Sequence, residues 1–220
     1  MGACVSYQDF IADKHFKINK SGFDYKTDKT WLFDYQKACV EWACKRGKSA
    51  LFLDTGLGKT NCELEWANAV SNHTGMPVLI LAPLCVSLQI KREGEKYGFD
   101  STIIRESSEV KSGINIANYE ILHKIDTSVF SGVVLDESSI LKGMQGKMRA
   151  LITESFRHTP YKLSASATPS PNDYMELGTQ SEFLGIMSQT EMLATFFIHD
   201  GGDTAKWRLK GHGKKRFFEW

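Results

Sequence analysis

The sequence lacks any apolar run near the ~18 residues that a membrane span needs, and its longest, Val78 to Pro83, has the length of a buried strand. No secretory h-region is present either. Cysteine is scarce and unpatterned: Cys4, Cys39, Cys44, Cys62 and Cys85 are an odd number, lie in the first half and include no Cys-x-x-Cys pair. That usage argues against a disulfide framework and a zinc site, and implies a reduced, cytoplasmic setting. His73, His123 and His158 stand apart from Cys and from other His, so no metal is assigned to them. Internal repeats and low-complexity segments are missing. Bulk charge does not mark a strongly basic nucleic-acid binder, since the net charge over 220 residues is +1. Residues 201–220 carry +4 and the first 200 carry −3.

What is present describes a globular chain, with 42% hydrophobic and 24% charged residues, long enough for one large domain or two small ones. The opening Met-Gly-Ala-Cys-Val-Ser fits a myristoylation pattern at Gly2 and Ser6, with Cys4 placed for a second lipid, although so short a pattern is common by accident. From about residue 49, short Val/Ile/Leu runs alternate with segments at helical spacing, which predicts an α/β fold with a mostly parallel sheet flanked by helices. The expected strands are Ala50 to Leu53, Val78 to Ala82, Thr102 to Ile104, Ile114 to Ala117, Val133 to Leu135 and Tyr161 to Ala165. Expected helices include Thr60 to Val70, Val86 to Tyr97 and Lys147 to Phe156. A further helix is announced near residue 171, with Ser170 as cap, Pro171 at the first helical position and Asp173 three residues after the cap.

Residues 1–30 are polar and without a sustained period, an N-terminal arm or a hairpin around Ser21-Gly22. Residues 199–220 are rich in Gly and Lys and end on Phe217-Phe218-Glu219-Trp220, as a connector toward a further domain would. In that tail Lys206, Arg208, Lys210, Lys214, Lys215 and Arg216 interleave with Trp207, Phe217, Phe218 and Trp220. Such a mixture suits phosphates and stacked bases. It equally suits a joining segment whose aromatics pack on another domain, the reading favoured here. Trp42 and Trp66 fall in helical segments and are expected to pack in the core or between helices; Met175, Met187 and Met192 read as core filler.

Three segments carry chemistry. Leu53-Asp54-Thr55-Gly56-Leu57-Gly58-Lys59-Thr60 joins an expected strand to an expected helix. Glycines let such a loop wrap phosphates, its backbone N–H groups and the helix N-terminus supply positive potential, Lys59 reaches the β/γ-phosphates and the Thr60 hydroxyl binds Mg²⁺. Leu53 replaces the usual first Gly of that pattern. At the end of another strand stand Asp136 and Glu137, which fit a carboxylate that holds Mg²⁺ and a base that deprotonates the attacking water. The third segment, Ser164 to Pro169, offers small hydroxyl residues at a strand end and by itself is an ordinary turn.

Taken in order, these segments resemble the first motor domain of superfamily 2 helicases, and more closely the SNF2-like DNA translocases. Phe33-Asp34-Tyr35-Gln36-Lys37 looks like the family's Tyr-Gln element, whose Gln reads adenine. Thr55, Gly56, Leu57, Gly58, Lys59 and Thr60 match its nucleotide-binding loop. Val78 to Leu84 with Gln89 and Lys91-Arg92-Glu93 resembles motif Ia, which approaches the DNA backbone. Ile116 to Glu120 resembles the next element, Leu135-Asp136-Glu137-Ser138-Ser139 occupies the DEAD/DEAH position, and Ser166-Ala167-Thr168-Pro169 the coupling Ser-Ala-Thr motif. The resemblance runs from about residue 31 to 185. Residues 197–213 are also similar to phage and prophage helicases of this type.

The resemblance implies a RecA-like ATP-binding domain over 31–198, ATP and Mg²⁺ as ligands, Glu137 as base, Lys59 and Asp136 in catalysis, duplex DNA as the track and no membrane partner. Two departures stand out. Ser139 takes the place of the His or Asp that contacts the Ser-Ala-Thr region, and no Gln-rich, twin-Arg element follows that motif. In this family the second RecA-like domain supplies the arginine finger, a group worth roughly 10³ to 10⁵ in rate where measured in GTPases. The fragment alone is therefore expected to turn over ATP barely. The alternatives are a nucleotide-gated binding module without hydrolysis of its own, or an RNA helicase domain. A P-loop kinase or GTPase would leave the Tyr-Gln and Ser-Ala-Thr elements unexplained.

Overall fold

The computed structural model describes residues 21–143, 146–170, 173–199 and 207–219. The lipidation pattern at Gly2, Cys4 and Ser6, and Lys206 and Trp220 of the basic tail, lie outside them.

Helix α1 (Asp34–Arg46) precedes strand β1 (Lys48–Phe52), then come α2 (Lys59–Thr74), β2 (Val78–Ala82), α3 (Leu84–Lys96), β3 (Ser101–Ile103), β4 (Ile114–Asn118) and β5 (Gly132–Leu135). Short α4 (Ile140–Gly143) and α5 (Gly146–Ser155) lead to β6 (Tyr161–Ser166), α6 (Leu177–Leu184), α7 (Gln189–Phe196), β7 (Phe197–His199), β8 (Trp207–Leu209) and α8 (Lys214–Glu219). All six expected strands form, with ends shifted by a residue or two. One helix start differs. Asp173, not Ser170, caps the turn into α6, its carboxylate accepting the Met175 N–H at 3.0 Å, and a 3₁₀ turn Tyr174–Glu176 precedes the helix. An Asx cap next to the first turn outcompetes a serine further upstream. No hairpin forms around Ser21-Gly22; residues 21–29 run without strand pairing, and the Phe23 N–H donates to Cys44 O at 3.0 Å.

Strands β1 to β6 make one parallel sheet in the order β1-β6-β5-β2-β4-β3. The chain crosses from β1 at one edge to β2 and later inserts β5 and β6 between them, so the carboxyl ends of β1, β5 and β6 lie side by side. Such a switch in strand order opens a crevice where ligands of doubly wound sheets bind. Strand period explains the two cores. Val78, Ile80 and Ala82 join Val40, Leu64, Trp66 and Val70 on the face covered by α1, α2 and α3, while Leu79 and Leu81 join Phe156, Phe183 and Leu135 on the opposite face. Both faces being covered, β2 is buried at every position. Each such Leu or Ile contributes about 1.5–3 kcal/mol.

Trp66 is fully buried. Trp42 is not the packing residue the sequence predicts: it is 45% exposed, with the Arg46 guanidinium 5.5 Å from its ring. The C-terminal segment builds its own small core, in which Phe217 packs with Met192, Phe196 and Phe197, and β7 pairs antiparallel with β8. At least this tail aromatic thus packs on its own chain. No helix among the described residues is long and apolar enough to cross a membrane.

Candidate nucleotide site at the carboxyl edge of the sheet

The loop after β1 turns on two left-handed glycines, Gly56 at φ 86° and Gly58 at φ 67°. Gly58 is the N-cap of α2 and no side chain caps that helix, leaving its first-turn N–H groups without a side-chain acceptor, as an anion site requires. Thr55, Gly56 and Leu57 are exposed along the loop and Thr60 is half-buried. Asp54 shapes the turn, its carboxylate accepting the Thr55 N–H at 2.7 Å.

Gln36 braces this loop from α1. Its Nε2 donates to Leu57 O at 3.0 Å and its Oε1 accepts the Phe33 N–H at 3.0 Å, with only 2% of the residue exposed. Both ends of the amide are thus engaged within the protein. Tyr35 Oη donates to the same Leu57 carbonyl at 3.0 Å, and the exposed Phe33 ring lies parallel to Tyr35, 5.9 Å between centroids.

Across the crevice, Lys59 Nζ lies 2.9 Å from Glu137 Oε1. This contact joins positions 78 residues apart and brings the first two sequence-predicted segments together. Glu137 is the only non-glycine residue with positive φ among those described, at 51°. A left-handed non-glycine residue persists only where its surroundings hold it. Here the Asp136 carboxylate accepts the Glu137 N–H at 2.9 Å, and Tyr119 Oη donates to Asp136 O at 2.7 Å. Asp136 is nearly buried, and burial followed by the Glu137 charge raises its pKa above the usual carboxylate range. Burial pushes the enclosed Tyr119 hydroxyl up as well, with Asp136 adding to it.

The third segment meets the second through the backbone. Ser138 N–H donates to Ala165 O at 2.9 Å, so the turn after β5 is bonded to β6 although Ser139 is short. Ser166 is buried and its Oγ accepts the Thr168 N–H at 3.0 Å, Ala167 is half-buried and Thr168 exposed. Deeper in β6, the Ser164 hydroxyl bonds Gln180 Oε1 of α6.

Sequence reasoning passed over three participants: Tyr119 as a brace for Asp136, Gln180 beneath β6, and Glu63. Glu63 lies four residues after Lys59, hence on the same helix face, and this spacing was the available signal. It is fully buried, and burial followed by the Asp136 charge raises its pKa well above the usual range.

No family model matches the chain. The DNA 3'-5' translocase XPB2 of Sulfurisphaera tokodaii is 26% identical over 160 residues, which cover 71% of this chain and 35% of the relative. The chain thus spans about a third of that protein. The Sulfolobus solfataricus SWI2/SNF2 ATPase core in complex with dsDNA matches with a TM-score of 0.65 at 23% identity, over 79% of this chain and 40% of that one. The UvsW helicase from bacteriophage T4 matches with a TM-score of 0.59 at 15% identity, over 84% and 66%. The parallel sheet, the glycine-rich strand-to-helix loop and these likenesses agree on the fold: the chain carries a RecA-like α/β domain, similar to those of the translocase and helicase proteins compared.

Proposed function

We propose that residues 31–198 bind ATP with Mg²⁺ as the first motor domain of an SNF2-like translocase, which hydrolyses ATP to move on duplex DNA when joined to a second RecA-like domain. The observation that carries this reading is the Lys59–Glu137 contact of 2.9 Å, which sets the phosphate-binding cation and the candidate base on opposite walls of one crevice.

The donor set suits Mg²⁺. Its groups are oxygens, the hard ligands this ion takes, and both Glu63 carboxyl oxygens are buried without a hydrogen-bond donor, an excess of acceptors that a nearby cation relieves. No three His, Cys, Asp or Glu side chains among the described residues converge to enclose an ion unaided. That fits an ion which keeps several waters and shares phosphate oxygens. The Thr60 hydroxyl would hold it directly and Asp136 through water. When bound, Mg²⁺ neutralises phosphate charge and polarises the transferring group.

The chain's own residues do the rest. Lys59 leaves Glu137 for the β/γ-phosphate oxygens, and the freed Glu137 carboxylate accepts a proton from the attacking water. Ser166, Ala167 and Thr168, tied to the Asp136–Glu137 turn by the Ser138–Ala165 bond, would pass the change to the second domain, and residues 199–220 lead toward it. Phe33 and Tyr35 border the place where adenine would lie, with Gln36 behind them. The outward face of α3, with Leu88, Gln89 and Arg92 exposed, would meet the DNA backbone without reading sequence.

The test is ATP binding and steady-state hydrolysis by the 220-residue chain, with and without duplex DNA, single-stranded DNA and RNA. Lys59→Ala should lose a charge-assisted contact worth about 1.5–3 kcal/mol, roughly 10- to 150-fold in nucleotide affinity. Unchanged affinity in that variant would overturn the reading. Glu137→Gln should keep binding and, in a protein joined to its second domain, lose roughly 10²- to 10⁴-fold in turnover.

A further inference from the structure

The segment after α7 holds a concavity that the nucleotide site does not use. A cleft of about 480 Å³ is lined by Asp173 and Tyr174 from the turn into α6 and by Phe197, Trp207 and Arg208 from the β7–β8 hairpin. Its size falls within the roughly 300–1,000 Å³ of ligand pockets. In the hairpin His199 stands opposite Trp207 and Phe197 opposite Leu209. The strand period places these four on one face and leaves Ile198 and Arg208, both exposed, on the other. Phe197 is buried and meets Phe217 of α8 at 5.6 Å between centroids, which seats the hairpin on that helix. Tyr174 is 44% exposed and Phe218 56%, with 5.3 Å between their centroids. The rings meet edge-on: Trp207 with His199 at 88°, Tyr174 with Phe217 at 61° and with Phe218 at 90°. Among the described residues no ring therefore lies parallel on Trp207 or on Tyr174, and a planar group has room there.

We propose that this cleft takes an unpaired base of a single nucleic-acid strand, stacked on Trp207 and Tyr174, with the strand's phosphates running along α8. Charge selects this occupant. Lys214 and Lys215 stand four and three residues before Phe218, hence on its side of α8, and both are exposed. Residues 201–220 as a whole carry +4. Cations beside exposed rings are what single strands bind, and stacking tolerates any sequence because every base has a flat face. Asp173 fixes which part of the strand enters. Its Oδ1 accepts the Met175 N–H at 3.0 Å, its charge repels phosphate, and a carboxylate has further lone pairs for a base amino group. A base paired and stacked within a duplex offers no free face, so the cleft separates single strands from the duplex assigned to α3. The site needs no nucleotide and stands apart from the ATP reading.

The experiment measures fluorescence anisotropy of a labelled oligothymidylate, and of a duplex of the same length, with the 220-residue chain at several salt concentrations, beside a thermal melt of each variant. No ATP is present, so the outcome is independent of the nucleotide site. Trp207→Leu, which keeps the apolar packing, should weaken the single strand about 5- to 150-fold and leave duplex binding unchanged. Trp207→Tyr, which keeps a flat ring, should restore most of that affinity. Lys214→Gln should lower the slope of log affinity against log salt by about 0.7. If Trp207→Leu fails to fold, Tyr174→Leu on the other side of the cleft takes its place, with the same loss expected. The proposal is overturned if the parent does not bind the single strand, or if the Leu variant binds it as the parent does. An equal loss in the Leu and Tyr variants, or an equal loss on duplex, overturns it too, the first as a packing effect and the second as a backbone contact. Strand binding that disappears when the chain is joined to a second domain would make the cleft a seat for that domain and equally overturn it.

Discussion

Substituting Gly58 by Ala should expose how tightly the glycine-rich loop after β1 is braced. The residue holds φ at 67°, where an L side chain costs roughly 1–2 kcal/mol. The added Cβ would also stand well inside contact distance of Gln36 Nε2. The far end of Gln36 must then move, breaking its bonds to Leu57 O and from the Phe33 N–H, each worth about 1 kcal/mol. Together the loss is about 3–4 kcal/mol, a large share of the 5–15 kcal/mol typical of a domain. With Gln36→Ala already in place, no side chain is left to displace, and Gly58→Ala should cost only the backbone part, about 1–2 kcal/mol. Urea denaturation of the parent, both single variants and the double variant measures the difference, a coupling of about 2 kcal/mol. Two substitutions that add within about 0.5 kcal/mol would behave as independent sites and would refute the brace.

Further outcomes follow from the cores. Trp66→Ala empties a fully buried site between α2 and the sheet and should lose about 3–5 kcal/mol, read by chemical denaturation. Lys162, buried in β6, has its pKa lowered to about 8 by burial and then by the neighbouring Lys48, and its ammonium donates to Phe183 O at 2.9 Å. A depressed base destabilises while the folded protein must carry its charge. The penalty is present in full below about pH 8 and is relieved as pH rises toward the ordinary value of 10.5, because in that window the unfolded chain binds more protons. The thiols of Cys44 and Cys62, pushed up to about 12 mainly by burial, act in the opposite direction above pH 9. Comparison with Lys162→Met cancels them: the stability of the parent minus that of the variant should rise between pH 8 and 10.5, and a flat difference would show that Lys162 is solvated.

The strand framework was legible because the parallel sheet buries its strands on both faces, which leaves continuous apolar runs such as Val78 to Ala82. The glycine-rich turn between β1 and α2 was legible as a strand-to-helix loop because Gly56 and Gly58 take the left-handed backbone that such a turn requires. Contacts set by folding at long range were not. Nothing local says that Tyr119 donates to Asp136, or that Gln180 lies beneath Ser164. Trp42 was misjudged because helical spacing places a side chain on a face without saying whether another element covers it. The cap ahead of α6 was misplaced by three residues because Ser170 and Asp173 are both good caps, and the choice between them depends on where the sheet releases the chain.

The Ser138–Ala165 bond has a consequence for how this region would answer to mutation. Donor and acceptor are both peptide groups, so no replacement of either side chain short of proline at 138 deletes the link, and an alanine scan across the two turns would pass over it in silence. Selection acting on side chains has equally little purchase there. A short serine can occupy position 139 without deleting this link between the strand ends, and only a change to the backbone itself would remove it, such as a proline at 138, which takes away the N–H, or an inserted residue after β5.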